Sequence, residues 1–94
     1  MGPDTAKRTM LVYVVESVLL KIGKPSYELV LTKLQKDHGC HISECIEKPE
    51  YLKRVLQEIY GNASDEIFER IKIDLGDLVE QKYYRDFVEV MNSR

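Results

Sequence analysis

Residues 37–45 of this 94-residue chain read DHGCHISEC and hold both of its histidines and both of its cysteines. Imidazole nitrogens and thiolates are preferred zinc donors, so His38, Cys40, His41 and Cys45 are the candidate metal ligands. A zinc site needs four donors in tetrahedral reach and usually draws a second ligand pair from a distant segment. Here the pattern is H-x-C-H-x3-C, all in one short stretch. Four side chains of one tight loop converge on a single ion only with difficulty, and a mixed site would recruit Asp37 or Glu44. As a redox pair the cysteines have the spacing C-x4-C, not the C-x-x-C of thioredoxin-type motifs, and cytosolic disulfides are rare. Cys40 with His41 could serve as nucleophile and base, but adjacent side chains seldom face each other. The residues favour a structural corner. Cys40, Ile42, Cys45 and Ile46 close one end of a core, and His38 sits near a helix C-terminus, where a cation is favoured. Ser43 would cap a single turn over residues 44–46. No metal is favoured and no cofactor is expected.

Other chemistry is sparse. No Ser/His/Asp arrangement and no glycine-rich phosphate loop can be read from the spacing, so a non-enzymatic chain is expected. Glu66, Glu69, Arg70, Asp74 and Asp77 have the placement of a solvated helix face. Residues 25–37 and 49–60 could be read as a helix-turn-helix DNA-binding unit, with Lys53 and Arg54 outermost and Lys7, Arg8, Lys21 and Lys24 assisting. Glu50 and Glu58 oppose this, and a link of about eleven residues is far longer than the usual 3–4-residue turn. The net charge is −2, with no basic stripe, so nucleic acid is not the expected partner. Tyr27, Tyr51, Tyr60 and Tyr84 fall beside core positions, where a ring is buried and its hydroxyl reaches the surface. Tyr83 and Tyr84 with Arg85 are the candidate partner surface, because tyrosine and arginine are enriched at interaction hot spots.

These residues must be positioned by helices. Residues 7–22 are apolar on nearly every side (Leu11, Val14, Val15, Val18, Leu19, Ile22), the pattern of a helix surrounded by others. Tyr27, Val30, Leu31 and Leu34 in residues 25–37, and Leu52, Val55, Leu56 and Ile59 in residues 49–60, follow the i, i+3, i+4, i+7 spacing of one buried face. Gly23, Gly39 and Gly61 stand at the expected stops. A fourth helix runs from Asn62 or Ser64 to Val79, with a bend at Gly76, and a short last helix covers residues 83–92. Residues 1–6 read as a disordered tail, and 7–92 as one domain. The fold class is all-α, a compact four- to five-helix bundle around a central apolar first helix. At 44% hydrophobic and 32% charged residues the composition is that of a soluble globular protein, with no run long enough to cross a bilayer. A cytoplasmic location is expected.

The stretches LLKIGKPSYE (19–28), SECIEKPEYLKRVLQEIYGN (43–62) and DFVEVM (86–91) resemble an archaeal family known as Nitrosopumilus output domain five, over about residues 11–90. The resemblance implies a small helical domain with a signal-output role in an archaeal cytoplasm. None of its motifs is catalytic, and it transfers no functional residue. The expectation is a helical module for protein–protein interaction or self-association. DNA binding through helix 49–60, or metal or thiol sensing through residues 38–45, are the alternatives.

Overall fold

The computed structural model describes residues 3–93. Six α-helices follow one another: α1 (Pro3–Ile22), α2 (Lys24–His38), α3 (Ile42–Cys45), α4 (Pro49–Tyr60), α5 (Ser64–Leu75) and α6 (Lys82–Asn92). Single 3-10 segments, Gly61–Ala63 and Gly76–Glu80, lead into α5 and α6. The fold is an all-α bundle, as expected. α1 starts at Pro3, so residues 3–6 belong to the helix and not to a tail; Met1 and Gly2 lie outside the described residues. Proline near the start of a helix costs nothing, because the first amides have no intrahelical acceptor.

Contacts between helices form a ring. α1 packs on α2, α2 on α4, α4 on α6, α6 on α5, and α5 returns to α1. The one-turn α3 plugs one end of the ring, touching α1, α2 and α4. The inward faces supply the core. α1 gives Leu11, Val14, Val15, Val18 and Leu19; α2 gives Val30 and Leu34; α4 gives Leu52, Val55 and Leu56. α5 gives Ile67, Phe68, Ile71 and Leu75, and its neighbour α6 gives Tyr84, Phe87 and Met91. The i, i+3, i+4 spacing thus places each apolar stripe inside.

Glycines with positive φ set three of the ends, Gly39 after α2, Gly61 after α4 and Gly76 after α5. Gly39 has φ 64° and ψ 26°, the left-handed conformation, and its N–H closes α2 by donating to the Gln35 carbonyl at 3.0 Å. Gly76 has φ 56° and ψ −129° and ends α5 outright. The continuous helix expected to Val79 is therefore broken, because no residue with a Cβ adopts that conformation cheaply. Leu78 and Val79 still pack against the core, but from a 3-10 turn.

Ion pairs tie the rim. Arg8 of α1 reaches Glu47, just after α3, at 2.7 Å. Lys33 of α2 bridges Asp37 at 3.1 Å and Glu58 of α4 at 2.7 Å, and these hydrogen bonds, led by Glu58, raise its pKa. Such exposed pairs orient the helices more than they stabilise them.

Candidate functional site

The cluster at residues 37–46 is a covalently closed corner. Past Gly39 the chain extends, and His41 (φ −82°, ψ 158°) takes the N-cap position of α3. Its Nδ1 accepts the Ser43 N–H at 3.2 Å, while Glu44 Oε1 accepts the His41 N–H at 3.3 Å, a reciprocal capping box. The cap is thus His41 and not Ser43. This turn folds Cys45 back toward Cys40, and the two form a disulfide with Cα atoms 6.0 Å apart. That span lies within the range such a bond requires. Ile42, Cys45 and Ile46 are buried, as a core-closing corner requires, and Cys40 is half-buried.

The four candidate ligands have separate tasks. Cys40 and Cys45 bind each other, and His41 holds a backbone amide. His38 stacks on Tyr51 of α4, with ring centroids 4.3 Å apart and planes 7° from parallel. Lys48 Nζ stands 5.6 Å from the centroid of the same tyrosine. Among the described residues no group of three or more His, Cys, Asp or Glu side chains is placed to hold a metal ion. With its sulfur in the disulfide, Cys40 has no thiolate to offer a substrate or a metal. Pairing of the cysteines is the departure from expectation. C-x4-C is uninformative in an extended chain, and it becomes a bridgeable spacing only once a helical turn lies between the two.

The expected partner surface on the last helix does not form as a patch. Tyr84 is buried, its hydroxyl pKa raised by desolvation, and Tyr83 packs edge-on against it with centroids 5.4 Å apart. Tyr83 is half-buried, and Arg85 alone of the three is exposed. Residue type pointed to an interface, but the phase of the helix turns these rings inward.

Four of the seven exposed large apolar side chains among the described residues lie instead on α1, with one each on α2 (Leu29), α4 (Tyr51) and α5 (Ile73). The outer face of α1 carries Met10, Tyr13 and Leu20, with Tyr13 67% exposed and the other two nearly half exposed. Ala6 and Thr9 are also exposed on this face, and Ser17 is half-buried. Val12 and Glu16 edge it on one side; Glu16 accepts a hydrogen bond from the Tyr27 hydroxyl. Lys21 edges the other, 3.8 Å from Asp74. The all-round apolar character of α1 thus has a specific meaning. One side fills the core, and the other side, equally apolar, has no helix of this chain on it.

Of the two α4 residues offered for DNA reading, Lys53 is engaged within the chain. Lys53 is half-buried and donates to the Ser93 carbonyl and, at 3.2 Å, to its hydroxyl. Arg54 shares an open groove with Glu50, Asp65 and Glu69, whose charges oppose an approaching phosphate. No helix among the described residues is long and apolar enough to cross a membrane. No protein-family model, curated protein or solved structure matches this chain.

Proposed function

We propose that this chain is a non-enzymatic helical module of signal output that works by protein–protein interaction, and that its contact surface is the outer face of α1. The observation that carries the reading is the exposure of Met10, Tyr13 and Leu20 together on a helix whose other side fills the core. Single exposed apolar residues are ordinary, but three aligned on one helix are the usual mark of a docking surface. Resemblance to the output-domain family supports a regulatory setting in an archaeal cytoplasm. The test replaces Tyr13 with a photo-crosslinking benzophenone amino acid, in extract of the source organism, with Gln35 of α2 as the control position. Protein adducts at position 13, lost on Met10→Asp and absent at position 35, are expected. No adduct at 13, or equal yields at both positions, sinks the reading.

A second reading, thiol sensing, is favoured by the Cys40–Cys45 bond. In a reducing cytosol a disulfide is usually transient and responsive. Opening it would free the link between α2 and α4 while leaving the helices packed. Alkylation of freshly lysed cells, followed by mass measurement, counts the closed fraction. A fraction that never changes with oxidant removes this reading.

A further inference from the structure

We infer that the occupant of the α1 outer face is a second copy of this chain, packed parallel and in register as a two-stranded coiled-coil contact. The inference rests on the proposed function, whose partner it names. Ala6, Met10, Tyr13, Ser17 and Leu20 are separated by 4, 3, 4 and 3 residues. That is the alternating spacing of a heptad seam, with Met10 and Ser17 at a and Ala6, Tyr13 and Leu20 at d. A seam of this kind is self-complementary, because a two-fold axis sets each position against its own copy. Small Ala6 and Ser17 stand on either side of the Met10–Tyr13 pair, leaving room for knobs of the partner helix.

The flanking charges choose the orientation. In this frame Glu16 takes a g position, and Lys7 and Lys21 take e positions. In a parallel pair a g residue faces the e residue five places on in the other chain, so Glu16 meets the partner's Lys21, twice by symmetry. An antiparallel pair instead sets Lys7 against the other chain's Lys21. Lys21 is free to turn, being 64% exposed and only at the limit of reach of Asp74. An anionic lipid surface is a worse match, since Glu16 lies on the rim of the face.

Area sets the strength. From Ala6 to Leu20 the seam is about 21 Å long. It offers roughly 500 Å² per copy, or about 1,000 Å² for the pair, the lower bound of specific interfaces. Such a contact gives a reversible dimer with a dissociation constant on the order of 10 µM or weaker.

Sedimentation equilibrium between about 5 and 500 µM reads the association directly. The expected result is an apparent mass that doubles from 11.0 kDa with concentration, and stays at the monomer value for Tyr13→Asp. Orientation is read by mild oxidation of Met10→Cys and Leu20→Cys, each on its own. A parallel pair links each variant to itself, whereas Gln57→Cys, on α4, gives no dimer. Glu16→Lys weakens the dimer, and adding Lys21→Glu restores it. Both variants lose the Tyr27 contact, so their difference isolates the pair between chains. A wild-type chain that stays monomeric at the top concentration and forms no cross-link overturns self-association. If benzophenone at position 13 then yields an adduct of another mass, the face binds a different protein and the proposed function stands. If it yields none, both fail. Co-sedimentation of a monomeric chain with anionic vesicles assigns the face to lipid and overturns the inference as well.

Discussion

Reducing the Cys40–Cys45 bond should destabilise the protein by an amount that the structure sets in advance. The bond closes a loop at a sequence separation of 5. For a loop this short, cross-linking removes roughly 7 cal/mol/K of entropy from the unfolded chain, which is about 2 kcal/mol at 25 °C. Little is added or subtracted on the native side. Cys45 is buried, the helices flanking the loop are held by α2–α4 packing, and Arg8–Glu47 ties the segment after α3 to α1. In a domain of this size each kcal/mol moves the melting temperature by about 4–8 °C, so reduction should lower it by about 8–16 °C. The assay is thermal unfolding followed by far-UV circular dichroism, with and without a phosphine reductant. A Cys40→Ala/Cys45→Ala variant serves as the control and should not respond to reductant. A wild-type shift below about 3 °C would refute the reasoning, since the unfolded chain would then gain no freedom from the open loop.

Loss of the His41 cap through His41→Ala should cost about 1 kcal/mol in urea unfolding, with most of it retained by His41→Asn; equal loss in both would deny His41 its capping role. Gly76→Ala should cost about 1–3 kcal/mol, because φ 56° with ψ −129° is closed to a residue with a Cβ; an unchanged midpoint would mean that the turn can rearrange freely. The Tyr27 hydroxyl is pushed up to about 12 by burial first and by its hydrogen bond to Glu16 second. The unfolded chain therefore releases this proton first, so the contribution is complete below pH 10 and declines as pH rises through 12. Absorbance titration at 295 nm should show late tyrosinate ionisation, to which Tyr84 also contributes, and Tyr27→Phe should remove one tyrosine's share of it; an unchanged late amplitude would reassign the step. Val15→Ala, in the core face of α1, should cost about 0.5–3 kcal/mol, and a loss outside the range seen for most substitutions would call for another account of its packing.

Periodicity made most of the bundle legible before its structure. Leu52, Val55 and Leu56, or Tyr84, Phe87 and Met91, are buried because apolar residues three and four apart share a face, and that spacing is local. The ring order was not legible, since which stripe meets which depends on contacts between distant segments. At Gly76 the sequence predicts only a bend, because glycine inside an apolar pattern lowers helix propensity without announcing a positive φ. In the corner, the burial of Ile42, Cys45 and Ile46 followed from residue type. The disulfide did not, because it exists only through the turn that His41 and Glu44 cap. The face of α1 was hidden for a different reason. A helix apolar all round gives no phase, so sequence alone cannot say which side the chain itself will cover.

The ring has a kinetic consequence. Most of its walls join helices that are close in sequence, but the wall between α1 and α5 joins the two most distant of the packed pairs, and closing it costs the most chain entropy. The α1–α5 wall is therefore expected to close last in folding and to open first, with α1 as its terminal helix. Native-state hydrogen exchange should show α1 amides opening at a lower free energy than those of α4. Anything seated on the outside of α1 then acts on the slow escape of the whole chain from its native state, as a latch on the door that opens first.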